Sequence, residues 1–169
     1  MVLSETVLKL SKPSSIITLD CSTTSMAFSI FEKGVLKKYG KITFVGNDAL
    51  YKAGDASKKT IPFFRKFRCD AVVFESGIYS NSAKTAMQLS LVQGSIIGAS
   101  QFAGIRIVKT VTPMQWQNYI GTKLLSATEK KNIVQKNPGM SKSWYKARER
   151  DMRKQKTIDY VNNRYGTKI

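Results

Sequence analysis

Apolar and polar residues first fall into a regular order at Ile16. Ile16, Ile17, Thr18 and Leu19 form a short apolar or β-branched run, the composition of a buried strand. The run ends on Asp20 and passes through Ser22, Thr23 and Thr24, and the segment MAFSIFEKG then alternates as far as Gly34. A third segment, VLKKYGKITFVG, alternates again. Alternation at a period of two, broken by small residues and glycine, predicts three strands in an antiparallel meander. Residues 1–15 contain an acidic residue and no continuous apolar block, so they do not resemble a secretory signal; they are expected to be a loosely ordered leader.

Beyond the third strand the period lengthens. Leu50, Ala53, Ala56 and Ile61 suggest a helix interrupted near Pro62. CDAVVFES is a short apolar strand ending on Glu75. NSAKTAMQLSLVQGSIIGASQFAG predicts the strongest helix of the chain, capped by Ser80 or Asn81 and stopped by Gly104. Its small residues Ser90, Gly94 and Gly98 recur every four positions and allow a close approach by the chain's own sheet or by a second copy. IRIVKTVTP predicts a fifth strand, and Pro113 opens a short helix. Residues 123–143 are polar and lysine-rich with an NPG turn, so a long mobile loop is expected there. The last segment places Ile158, Val161 and Tyr165 on one helical face. The order predicts one α/β domain over residues 16–169, built on a mixed sheet.

Charge narrows the partners. The 169 residues carry 28 Lys and Arg against 11 Asp and Glu, a formal net charge of +17. The cations are spread over helices and strands, which fits a polyanion such as nucleic acid better than a membrane surface. No apolar run approaches a membrane span. The chain has no histidine and only Cys21 and Cys69, without metal-like spacing, which argues against a zinc site, His-based catalysis and a Ser–His–Asp triad. Both thiols are expected to be free in a reducing compartment.

What chemistry remains is carried by carboxylates. Asp20 at the end of an apolar strand has a structural reading, a cap for the turn that follows it with Ser22 and Thr23. Glu75 ends a second apolar strand in the same way. If the strands are neighbours, both carboxylates emerge at one edge of the sheet, where like charges repel and a divalent cation relieves them. Hard oxygen donors select Mg²⁺ or Mn²⁺, and with a basic surface they point to metal-assisted phosphodiester hydrolysis.

These residues also carry a resemblance. IITLDCSTTSMAFSIF resembles the first strand and hairpin of the RuvC-type Holliday junction resolvases, particularly their phage relatives, within the RNase H-like nuclease superfamily. AVVFESGIYSNSAKTAMQLSLVQGSIIGA resembles their second motif, a strand-ending Glu followed by a loop and a long helix. VTPMQWQNYIGTK resembles their fifth strand, proline-started helix and glycine-lysine turn. The resemblance implies an RNase H-like mixed five-stranded sheet flanked by helices. It also implies Asp20 and Glu75 as catalytic metal ligands, and Mg²⁺-dependent nicking of four-way or other branched DNA by a homodimer in the cytoplasm of a bacterial or phage-infected cell. Three departures stand out. The family's usual hairpin glycine is Ala27. Its base-contacting aromatic aligns with Ile78, with Tyr79 beside it. Its closing Asp ligands would follow Ile169, so a truncated or incomplete site is expected. Asp159 lies mid-helix and is not a substitute.

DNA contacts are expected from Tyr79, from Asn81, Ser82 and Lys84 at the start of the long helix, and from Lys123. The cluster Lys146, Arg148, Arg150, Arg153, Lys154 and Lys156 on the last helix is expected to hold phosphates. Phe63, Phe64 and Phe67 are expected to pack in the core. Two other functions stay open: a non-catalytic module that binds branched DNA, and another RNase H-like nuclease.

Overall fold

The computed structural model of the chain describes residues 13–76, 82–122 and 124–168. Three strands come first, β1 (Ser15–Cys21), β2 (Ser25–Glu32) and β3 (Val35–Thr43). They are followed by α1 (Ala49–Lys66), β4 (Ala71–Glu75), α2 (Ala83–Phe102) and β5 (Ile107–Val111), and then by α3 (Pro113–Tyr119), α4 (Ala127–Lys136) and α5 (Lys142–Tyr165). Among the described residues the strands form one sheet in the order β3-β2-β1-β4-β5. The β1–β2 and β2–β3 pairs are antiparallel, while β4 runs parallel to both β1 and β5, so the sheet is mixed. The described residues fall into two compact units that meet between Val111 and Thr112 in the sequence.

In the first unit, turn chemistry sets the meander. Lys33 and Gly34 have φ of 50° and 78°, the two left-handed positions of a hairpin turn whose twist matches the strands it joins. Gly40 lies opposite Phe28, and a Cβ there would sit 2.9 Å from the Phe28 ring, so glycine makes room for it. Every second residue of the strands enters one core: Ile17 and Leu19 of β1, Met26 and Ile30 of β2, Val72 and Phe74 of β4. Ala53, Ala56, Phe63 and Phe64 of α1 and Val92, Ile96 and Ala99 of α2 cover that face. The phenylalanines therefore pack as expected, with Phe63 4.7 Å from Phe28 and 5.3 Å from Phe64 between ring centroids.

Two expectations are corrected in this unit. Helix α1 is not interrupted at Pro62 but continues through it. Pro62 is on the exposed side of the helix, where water can satisfy the carbonyl that loses its N–H partner. The cap of α2 is Ser82, whose hydroxyl accepts the Thr85 N–H at 3.4 Å; Ser80 and Asn81 lie outside the described residues. Helix α2 ends before Gly104, which has φ of 92°. Its small stripe is exposed, and a Cβ on Gly94 or Gly98 would meet nothing within 4 Å. Among the described residues, then, the stripe does not serve to pack α2 on the sheet.

In the second unit, the loop expected over residues 123–143 contains helix α4. Ser126 accepts the Glu129 N–H and Glu129 accepts the Ser126 N–H, a reciprocal cap that starts a helix despite a polar sequence. Glu129 also pairs with Lys156 of α5, and Lys130 with Glu149. The Tyr145 hydroxyl donates to the Asn137 carbonyl at 2.6 Å, tying the NPG turn to α5. The short α3 starts on a second reciprocal cap, Thr112 with Gln115, and Pro113 stands at its first position.

Candidate functional site

The parallel pairing of β1 and β4 builds the site. Ile17 is in register with Val72, Thr18 with Val73, and Leu19 with Phe74. The next position on each strand is a carboxylate, Asp20 on β1 and Glu75 on β4. Residues in register on adjacent parallel strands share a face, and adjacent strands lie about 4.8 Å apart. Leu19 and Phe74 point into the core, so Asp20 and Glu75 project from the opposite face. The Asp20 side is exposed and Glu75 is half-buried. Both pattern-derived candidates therefore reach one edge of one face.

Backbone contacts fix this edge. The Gln93 side chain of α2 donates to the Glu75 carbonyl at 3.1 Å. The Ser76 N–H donates to the Val111 carbonyl at 2.9 Å and extends the β4–β5 pairing past Glu75. On the β1 side, Ser22 organises the hydroxyl-rich turn: its Oγ accepts the N–H groups of Thr24 at 3.2 Å and Ser25 at 3.0 Å. Among the described residues the Asp20 carboxylate makes no hydrogen bond or ion pair. The turn is held by Ser22, and the capping reading of Asp20 fails for that reason.

The thiols stay out of the chemistry. Burial, reinforced by the neighbouring Asp20 charge, pushes Cys21 up to about 12, and burial pushes Cys69 up to about 11. Both are free, and protonated at neutral pH they are poor nucleophiles and poor ligands.

A basic residue not singled out from the sequence stands on the same face. Lys109 of β5 is in register with Val73, one diagonal from Glu75, and is exposed. Its only sequence signal is a lone charge inside an alternating strand.

The other predicted DNA contacts are placed unevenly. Ser82 and Lys84 lie at the exposed start of α2, with Ser82 occupied as its cap. Tyr79, Asn81 and Lys123 lie outside the described residues. On α5, Lys146, Arg150 and Lys154 recur every four residues, are all exposed and form one stripe, with Arg148 exposed beside it. Lys156 is half-exposed and is ion-paired with Glu129. Arg153 is half-buried. Asp159 is exposed and accepts the Gln155 amide at 2.9 Å, an ordinary contact on a helix surface.

The donor set fits a hard divalent cation in part. Asp20 and Glu75 offer oxygen ligands from adjacent strands, as Mg²⁺ or Mn²⁺ requires. Among the described residues no group of three or more acidic, thiol or imidazole side chains converges there. Nor is any described helix long and apolar enough to cross a membrane.

No family model and no curated protein matches the sequence. Solved structures do match the fold. Thermus thermophilus RuvC in complex with a Holliday junction substrate is 16% identical, with a TM-score of 0.58; the match covers 88% of this chain and 94% of that one. A second structure of Thermus thermophilus RuvC is 16% identical, with a TM-score of 0.55, over 88% of this chain and 95% of that one. The chain thus has the RNase H-like mixed α/β sheet. More narrowly, its fold is that of Thermus thermophilus RuvC.

Proposed function

We propose that this protein is a metal-dependent, structure-specific endonuclease that nicks four-way junctions and other branched DNA. The observation that supports the proposal is the pair Asp20 and Glu75, each one position past the last registered pair Leu19 and Phe74 of two adjacent parallel strands, in a fold that matches RuvC. The two side chains would hold Mg²⁺, with Mn²⁺ as a substitute. Such a cation, when bound, would supply an activated water and offset charge at the scissile phosphate. Asp20 and Glu75 would hold it on the open face, and Lys109 would offer a cation to a phosphate beside Glu75. The exposed stripe Lys146, Arg150 and Lys154, together with Lys84, would grip the backbone without reading bases. Tyr79, Asn81, Ser82, Lys123, Arg148, Arg153 and Lys156 complete the proposed contact set, with Lys156 weakened by its pairing to Glu129. The exposed Ser90–Gly94–Gly98 stripe supports a homodimer that presents two sites to one junction. The place of action would be the cytoplasm of a bacterial or phage-infected cell.

One observation favours a second reading: among the described residues no group of three or more acidic, thiol or imidazole side chains comes together. A module that binds branched DNA without cutting it would keep the basic surface and need no tight metal site. Incubating the protein in Mg²⁺ and in Mn²⁺ with four-way, flap, RNA–DNA hybrid and linear substrates separates the readings. Paired nicks in the four-way substrate, abolished by Asp20→Asn, are expected. Tight junction binding with no nicking in either metal would establish the module instead.

A further inference from the structure

We infer that Lys41 is a phosphate-positioning residue of the Asp20–Glu75 site, an inference that rests on the proposed nuclease reading. Register gives the placement. Asp20 is directly opposite Ala27 of β2, and Ala27 is directly opposite Lys41 of β3. Directly paired residues share a face of the sheet. Lys41, Ala27 and Asp20 therefore form one row across three strands, and Glu75 continues it on β4. The row lies on the face opposite the core, because the neighbours Met26 and Ile42 pack on the core side.

All three residues of the row are exposed, so they make an open shelf rather than a packed surface. Two strand spacings put the Lys41 backbone about 10 Å from that of Asp20. Ala27, the residue between them, has only a methyl group and leaves that distance clear. A lysine stem of four methylenes crosses most of it. Among the described residues Lys41 has no carboxylate partner, whereas Lys59, Lys130 and Lys156 each have one. Lys38, on the same strand, is turned the other way and lies over the Phe67 ring at 5.2 Å.

The shelf orders the charges. A DNA strand whose scissile phosphate lies at Asp20 and Glu75, and which runs across the strands toward β3, brings a neighbouring phosphate to Lys41. The ammonium there fixes the direction of the strand, and with it the alignment of the scissile bond. A plain alternative is that Lys41 only guards the exposed edge strand against pairing with another chain. Lys37 would serve that purpose equally well and makes a charge-matched control on the same strand.

The test is single-turnover nicking of a four-way junction by wild type, Lys41→Ala, Lys41→Arg and Lys37→Ala, with junction affinity measured separately in EDTA. Substrates carry one uncharged methylphosphonate at successive positions around the cut. One charge-assisted contact is worth about a 10- to 100-fold rate change. Lys41→Ala is expected to lose that much in rate, to lose little affinity, and to become insensitive to one particular methylphosphonate that slows the wild type. Lys41→Arg should restore most of the rate. Equal rates for Lys41→Ala and Lys37→Ala, with the wild type cutting normally, would overturn the Lys41 assignment alone. A wild type that cuts no branched substrate would overturn the nuclease reading, and the Lys41 assignment with it.

Discussion

Substituting Asp20 by Asn preserves its shape and removes one of two neighbouring charges, so its effect can be worked from the sheet. Carboxylates about 5 Å apart repel by about 0.8 kcal/mol in a water-like dielectric and by about 3 kcal/mol at an effective dielectric of 20. Asp20 is exposed and Glu75 half-buried, which favours the lower end, about 1 kcal/mol. In metal-free buffer Asp20→Asn should therefore melt higher than wild type, by roughly 2–4 °C for a chain of this size. Added Mg²⁺ reverses the order. At ten times a dissociation constant of about 1 mM, binding stabilises the wild type by about 1.4 kcal/mol, or roughly 3–6 °C. The variant, lacking one of the two ligands, should gain little. Melting curves in EDTA and in 10 mM Mg²⁺, alongside junction binding and nicking, read all of this. Affinity in EDTA should hold or rise, since one negative charge near the phosphates is gone, and nicking should be lost. A variant that melts no higher in EDTA and responds to Mg²⁺ as the wild type does would show that the two carboxylates do not share a site.

Other expectations follow from the same contacts. Phe64 of α1 is fully buried in the core, so Phe64→Ala should cost about 3–5 kcal/mol and lower the melting temperature by roughly 6–20 °C. The Lys156 ammonium holds Glu129 down to about 2, the Lys59 contact lowers Asp55, and the Ser15 and Ser14 donors lower Asp70. Carboxylates depressed by folding stabilise the protein above their unfolded values near 4 and lose that contribution as pH falls toward 2; melting temperature followed over this range should drop, and Glu129→Gln should flatten part of the slope. Gly94→Leu should leave the monomer as stable or stabler, since leucine favours a helix by about 0.8 kcal/mol. In sedimentation it should lower the number of protomers per junction from two to one, and two protomers retained would refute dimerisation through the α2 stripe. If roughly six phosphates are neutralised, junction affinity should fall about a thousandfold between ~50 and ~200 mM salt; a flat response would argue against phosphate contacts.

The sequence makes the sheet legible because alternation and turn chemistry agree there. The strands, the Lys33–Gly34 turn, the phenylalanine core and the two strand-ending carboxylates all follow from local rules. What local rules miss depends on partners distant in sequence. Helix α4 is polar and lysine-rich, yet it starts on the Ser126–Glu129 cap, buries Ile133 and pairs with α5. Pro62 is a breaker by propensity, yet it is tolerated where its face of α1 meets water. Lys156 belongs to a basic cluster by sequence but faces Glu129, which lies 27 positions earlier. Lys41 and Lys109 acquire a relation to the carboxylates only through register, which a single sequence does not display.

Register also separates the two kinds of carboxylate on β1 and β4. At one end of the strand pair, Asp70 accepts four hydrogen bonds from the backbone and hydroxyl groups of Ser14 and Ser15, at 2.8 to 3.1 Å. Its own N–H is bonded to Ser15 as well. That ring of donors holds Asp70 ionised and clamps the start of β4 to the start of β1. Five positions further along each strand come Asp20 and Glu75. A slip of one residue would turn one carboxylate to the core face and leave the other outside, so the clamp at the far end helps to keep the pair together. Asp70 is satisfied and closed. Asp20 is exposed and without a donor among the described residues, a state that the first unit does not need for its own stability. Asp20 keeps its carboxylate open to solvent at the other end of the same strand pair, the placement that the Asp20→Asn melting and nicking comparison tests.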